Sequence, residues 1–383
     1  MTCRFVASLI ALALLGSCTV AARPSPGPTL AGASGPTAVA PTAVVTSAST
    51  ATITTAPTPD PGRYALLLQG AGRISIRSEV AFATSVIAIG GERPAASHDG
   101  RRIAFWRTGP QVGSPQELRV AEIPSGTERA LMSLPAGIAG GPILWASTDD
   151  GLLYEVHSVA NRPGAGGGPQ SSEIQSYDLT ASQAPGASDA GLMATDGRWF
   201  VPLAWDRAAA LASAVTTAEG GHALEYVTWE RKVLPPGQSA TKRTPFQWSV
   251  FAYQVTASHD AKRMLAVDRV RNGVWVWPLA DIGAADFVRA GDAVTDARWR
   301  NGVPNDISWV VGNNVDVFTY QTSSVGRWYE GRGGVLILGW RVDGSAPVLF
   351  EPSRGTFIVP SPQRDPIHLF DSDAGVAGTV VVR

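Results

Sequence analysis

Apolar residues along this chain come in short runs, often alternating with polar ones, separated by clusters of Gly, Pro, Asp and Ser. A period of two between such breaks is the pattern of β-strands and turns, because successive strand side chains face opposite sides of a sheet. One phrase recurs: "SHDGRRIAFW" at 97–106 has a near copy in "SHDAKRMLAV" at 258–267. In both, an Asp followed by Gly or Ala leads into an apolar run. Further copies place Asp150-Gly151 before a strand at 154–156, Asp196-Gly197 before Phe200-Val201, Asp306 before 309–311 and Asp343-Gly344 before 348–350. The Asp carboxylate accepts backbone N–H groups two residues on, and Gly supplies positive φ. A second strand follows the better copies, at 118–123, 174–179 and 274–279. One segment breaks the pattern. "RAAALASAVTTAE" after Asp206 is rich in good helix formers and predicts a helix with Asp206 as its N-cap. The stretches 157–172 and 230–247 read as long loops.

The repeated aspartates recur about every 45 residues, the size of a propeller blade of four short strands. Residues 63–383 hold seven such blades, with six as the alternative. "RYALLLQ" at 63–69 and "GTVVVR" at 378–383 are predicted to pair in one blade and close the ring, which leaves no open sheet edge. The phrase at 97–106 resembles the TolB-type, WD-like propeller repeat W-S-P-D-G-x-x-I-A-F. Here His98 stands at the proline position, and a tryptophan precedes only some copies, as Trp340 does before Asp343. The resemblance extends over most of 90–350. It implies an all-β, β-propeller fold and an accessory role in an envelope complex as one functional class.

The N-terminus carries an address. In "MTCRFVASLIALALLGSC", Arg4 precedes an apolar run at 5–15, too short to remain in a bilayer as a spanning helix. The run ends in Leu15-Gly16-Ser17-Cys18, which resembles the bacterial lipobox. That resemblance implies cleavage after residue 17 and lipidation of Cys18. Residues 1–17 are then a lipoprotein signal peptide, and 18–62 a lipidated cysteine followed by a Pro-, Thr- and Ala-rich tether. No charge occurs between Arg23 and Asp60 and no aromatic residue lies in that stretch, so it cannot offset its ordering entropy by burial. Fully extended it reaches on the order of 120 Å at about 3.1 Å per residue. Residues 63–383 are the propeller domain.

Composition narrows the function classes. The formal net charge of −1 argues against nucleic acid as a partner, because phosphate binding needs a clustered basic surface. The two cysteines, Cys3 and Cys18, both lie at the N-terminus, so the folded body has no thiolate nucleophile and no disulfide. None of the five histidines sits at zinc-helix spacing. No G-x-S-x-G elbow is present, which removes the nucleophile of propeller-capped peptidases.

The remaining motifs have structural readings. "STDDGLLY" at 147–154 fits the sialidase Asp-box, itself a structural turn. His98 and His259 share one repeat position, which predicts exposed turns of separate, distant blades. "DSDAG" at 371–375 alternates oxygens before Gly as calcium loops do, but shows two carboxylates where a loop needs roughly six or more ligand oxygens. "GAGGG" at 164–168 lacks the strand and helix that frame a phosphate cradle. Arg231, Lys232, Lys242 and Arg243 gather in one predicted loop, suited to anionic headgroups or wall polymers. The twelve tryptophans include Trp275 and Trp277 on one strand face, as core, and Trp328-Tyr329, predicted as an exposed aromatic pair for a sugar ring.

The sequence therefore reads as a bacterial lipoprotein on the extracytoplasmic face of the cell membrane, anchored through the lipid on Cys18. Its propeller binds a protein, peptide or cell-envelope glycan and carries no catalytic residue, metal or cofactor. The alternatives are a metal-dependent propeller hydrolase or lactonase, with channel ligands scattered in sequence, and a structural accessory subunit.

Overall fold

The computed structural model describes residues 63–382 except 71, 110–113, 159–171, 181–199, 218–223, 231–243, 249–251, 363 and 373–374. Cys18, the signal peptide, the tether, the glycine cluster at 164–168 and Arg231, Lys232, Lys242 and Arg243 lie outside the described residues. So do Asp196-Gly197.

The described strands form seven antiparallel sheets, which settles the blade number. Strands are lettered A to D from the axis outward. Blade 1 joins Val376–Val381 as strand A to Tyr64–Gly70, Arg73–Ser78 and Thr84–Ile89. Blade 2 is Gly91–Ala96, Arg102–Thr108, Gln116–Glu122 and Glu128–Ser133. Blade 3 has Ile138–Trp145, Gly151–Ser158 and Ser172–Asp178 as its described strands. Blade 4 is Phe200–Asp206, Leu211–Thr217, Leu224–Glu230 and Thr244–Trp248. Blade 5 is Ala252–Ala257, Arg263–Asp268, Gly273–Pro278 and Asp286–Arg289. Blade 6 is Val294–Trp299, Asp306–Val311, Asn314–Thr319 and Ser324–Glu330. Blade 7 is Leu336–Trp340, Pro347–Glu351, Gly355–Ile358 and Ile367–Phe370. Each strand A packs against the next around a closed ring. The two ends of the domain do pair: Tyr64 lies opposite Val381 and Leu66 opposite Thr379.

The repeated phrase marks the turn between strands A and B. In blade 2 Ser97 Oγ donates to Asp99 Oδ1 at 2.6 Å and accepts the Arg102 N–H at 3.0 Å. In blade 5 Ser258 Oγ donates to Asp260 Oδ1 at 2.6 Å and accepts the Arg263 N–H at 3.0 Å. The two sequences agree because the two turns make the same bonds.

The helix expected after Asp206 is a β-hairpin. Asp206 does accept the Ala209 N–H at 3.1 Å, as an N-cap would, but Ala210 then turns to φ 52° and Leu211–Thr217 runs back along strand A. Ala212, Ser213 and Ala214 are all buried, because a central strand is covered on both faces. Such a run shows no alternation, and small residues chosen for tight packing imitate helix formers. This hairpin is the A–B turn of blade 4, so Asp196-Gly197 precedes strand A and is out of phase with the other copies. The loop read at 230–247 likewise gives way at its end to the strand Thr244–Trp248.

Tryptophans tie blade to blade. Trp145 Nε1 donates to Ala95 O at 2.9 Å, Trp340 Nε1 to Ser308 Oγ at 2.8 Å and Trp328 Nε1 to Val359 O at 3.2 Å. Each bond crosses an interface between neighbouring blades. Trp106 of blade 2 lies against Gly140 of blade 3 and donates to Gly141 O at 2.9 Å. A Cβ on Gly140 would stand 2.0 Å from the indole. Gly140→Ala is therefore expected to lose about 2–3 kcal/mol by overpacking. Urea denaturation checks this; an unchanged midpoint would mean that the indole moves aside freely.

One irregularity is shared by all seven blades. Strand A carries one residue more than strand B opposite it, at Ala377, at 93–94, at 141–142, at Leu203, at 253–254, at Thr295 and at Leu338. A bulge bends its strand, sharpens the twist and redirects a side chain. Repeated at the same depth of every inner strand, the bulges make a ring around the channel.

Candidate functional site

The channel has two different mouths. At the A–B turns it is bridged by the histidines. His98 of blade 2 and His259 of blade 5 stack with ring centroids 4.6 Å apart and planes inclined by 28°. Blades three apart in a ring of seven lie nearly opposite, so this contact spans the axis. The expectation that the two rings lie apart is thereby overturned: equivalent positions on the innermost turns converge on the axis. The bridge is tied down at both ends. Asp149 of blade 3 accepts from the His98 backbone N–H at 2.7 Å and the Asp99 N–H at 2.9 Å, and His98 Nδ1 lies 2.8 Å from Asp149 Oδ1. On the far side the Gly302 N–H of blade 6 donates to His259 Nδ1 at 3.3 Å. The bridge is thus Asp149, His98, His259 and Gly302. Asp149 belongs to the "STDDGLLY" motif, which is the A–B turn of blade 3.

Burial pushes the Asp149 carboxyl up, but the ring and backbone hydrogen bonds from His98 outweigh it and hold the group below the usual carboxylate range. His259 is held below its ordinary value of 6.5, first by burial and then by the neighbouring His98, against the pull of Asp149 and Asp260. A base depressed in the folded state contributes stability above its unfolded pKa, and that contribution is lost as pH falls through 6.5 toward the folded value. Wild-type protein is expected to lose melting temperature between pH 7 and pH 5, and His259→Phe is expected to lose roughly 2 °C less over the same interval. Parallel pH profiles of the two proteins in thermal melts would show that this histidine does not set the dependence.

The opposite mouth lies where the inner strands begin, and the bulge ring sits just inside it. Arg93 and Thr295 are exposed there, and Pro142, Leu203, Gln254 and Leu338 are partly so. Between blades 2 and 3 the ring meets a buried polar cluster. Glu155 is fully buried and places its carboxylate in the space that a Cβ on Gly141 would fill. His157 Nδ1 lies 3.0 Å from that carboxylate. Burial drives the Glu155 carboxyl above its usual range, partly countered by the His157 hydrogen bond and charge, by the nearby Arg93 charge and by a Ser172 hydrogen bond.

Several motifs carry no such geometry. Trp328 and Tyr329 are buried, at 3% and 7% exposure, in strand D of blade 6. The exposed aromatic pair is instead an interface element, with Trp328 edge-on to Trp340 and the Tyr329 hydroxyl donating to Glu351 at 2.8 Å. Trp277 is buried as core. Asp371 of "DSDAG" is fully exposed and meets His368 at 3.2 Å. Among the described residues no three His, Cys, Asp or Glu side chains gather closely enough to hold a metal.

The sequence marked the histidine pair by repeating it, although nothing in the repeat told that the two copies meet. Arg93 had no such mark. Only the Arg93-Pro94 step offered a hint, since proline within a sheet is confined to edges and irregularities.

This geometry defines the chain as a seven-bladed β-propeller. Several solved structures resemble it, among them a β-propeller domain. The β-propeller domain of the Trilobed protease from Pyrococcus furiosus aligns at a TM-score of 0.53 and 14% identity, over 82% of this chain and 96% of that one. Acylaminoacyl peptidase from Pyrococcus horikoshii aligns at a TM-score of 0.53 and 12% identity, over 79% of this chain and 48% of that one. The chain therefore spans about half the length of that peptidase. TolB from Acinetobacter baumannii aligns at a TM-score of 0.40 and 15% identity, over 72% of this chain and 66% of that one. At these identities the likeness is one of fold. No protein family and no curated protein sequence matches the chain.

Proposed function

We propose that this chain is an extracytoplasmic lipoprotein, anchored through Cys18, whose propeller binds a protein, peptide or envelope-glycan partner in its channel without chemical conversion. The observation that carries the binding site is the His98–His259 bridge. A channel bridged across one mouth is obstructed there, and a ligand enters it from the bulge-ring mouth. The tether and the lipobox resemblance carry the anchor. The position of the site follows a general preference of ligands for concave sites built by several elements.

The test is photo-crosslinking in the native envelope. A crosslinking residue at Thr295, inside the proposed entrance, is expected to capture a discrete partner, and one at Asp99, on the bridged rim, is not. Capture from Asp99 alone would place the partner on the wrong face and end this reading. In the same cells Cys18→Ala is expected to move the protein out of the membrane fraction.

A further inference from the structure

The seven bulges differ in one respect that concerns a ligand. A bulge residue in the left-handed region is normally glycine, because a Cβ there meets the following carbonyl. Arg93 holds φ 51° at the bulge of blade 2. The other non-glycine residues with positive φ, namely Phe82, Asp149, Ala210, Ala261, Asn272 and Ser323, all lie in turns between elements. Arg93 alone among the described non-glycine residues holds a positive φ inside a strand. Its side chain is exposed, on the innermost strand of blade 2, and its one polar interaction among the described residues is the pull of its charge on the buried Glu155. Strain kept at a position where glycine would relieve it implies a use for the side chain.

We propose that Arg93 is the anchor for a carboxylate on a peptide that enters the channel. A guanidinium offers a carboxylate two parallel N–H donors, and a partly enclosed channel strengthens the pair relative to bulk water. Elsewhere in the ring Pro142, Leu203, Leu338 and Ala377 are aliphatic and Gln254 and Thr295 are neutral hydrogen-bonding groups, a mixture that suits the side chains and backbone of a peptide. The innermost strands also present a backbone edge with no further strand beside it, which an extended peptide can hydrogen-bond. This inference rests on the proposed channel site and names what it reads.

The experiment uses the full chain in detergent and two probes: N-acetyl-Ala-Ala-Leu with a free C-terminal carboxylate, and the same peptide as its amide. The wild-type protein is expected to bind the acid on the order of tenfold more tightly than the amide, by titration calorimetry. Arg93→Gly is expected to lose that discrimination and to melt at a higher temperature than wild type, because the strain is released. Arg93→Lys is expected to keep part of the preference. Equal affinity of acid and amide for wild type overturns the proposal. So does an Arg93→Gly protein that melts lower yet still prefers the acid, which would reduce Arg93 to a counter-charge for Glu155. Binding of glucuronate with no binding of the peptide acid overturns the peptide. A crosslink at Thr295 alongside any of these failures leaves the channel site standing and removes only the carboxylate.

Discussion

Arg341→Met is expected to cost about 3–5 kcal/mol of stability, the loss seen when one member of a buried ion pair is removed. Arg341 directly follows strand A of blade 7, and Glu79 lies in the C–D turn of blade 1. Arg341 Nε and Nη2 donate to the Glu79 carboxylate at 3.0 and 2.6 Å, and the guanidinium lies 5.3 Å from the centre of the Tyr64 ring. Both charged residues are buried, at 6% and 5% exposure. Burial pushes the Glu79 carboxyl up even with the arginine in place. Without it the carboxylate has no cation, so the penalty is greatest near neutral pH and shrinks once acid neutralises the group. Urea denaturation at pH 7 and pH 5 reads both effects. The double variant Arg341→Met, Glu79→Leu is expected to recover most of the loss, since two apolar groups leave no orphan charge. A single variant within about 1 kcal/mol of wild type would mean that water reaches the pair.

A chain ending at residue 372 is expected to lose cooperative folding. It lacks Val376–Val381, the innermost strand of blade 1. That strand pairs with Tyr64–Gly70, donates from the Val381 N–H to Gly100 O at 2.8 Å in blade 2, and from Thr379 Oγ1 to Trp340 O at 2.8 Å in blade 7. Val380 and Val381 are buried. Each buried valine contributes about 1.5–3 kcal/mol and each ladder hydrogen bond about 1 kcal/mol. Together these are comparable with the about 5–15 kcal/mol by which a domain is stable. Calorimetry of the truncated chain should show no sharp transition, and a synthetic peptide of residues 375–383 should restore one. A sharp transition in the truncated protein alone would show that six blades hold the ring without the strand.

These two expectations concern blade 1, and its composition was the most legible part of the sequence. "RYALLLQ" and "GTVVVR" sit at opposite ends of the repeat and each offers one unpaired strand, so closure was the one arrangement that satisfied both. The A–B turns were legible for a similar reason: Ser97-His98-Asp99 and Ser258-His259-Asp260 encode bonds between neighbours in the chain. What the sequence concealed lies across the fold. Ala212 and Ala214 imitate a helix because their burial by adjoining strands is invisible locally. Trp328 and Tyr329 sit among Gly and Arg in the chain, yet blade 7 covers them. The His98–His259 contact depends on where two distant turns meet on an axis, and the Arg93 anchor on a backbone angle that no composition records.

The pairing at Tyr64 also determines how the domain bears load. Its strand runs between two partners, with Ala65 opposite Val380 on one side and Ser78 on the other. The Val382 N–H further clasps Arg63 O at 2.8 Å. A pull on the chain at residue 63 is therefore directed along the strand. It stretches both ladders in shear, all rungs together, and cannot unzip them one at a time. The ring would yield to such a force at a far higher tension than to the same pull applied across an outer strand.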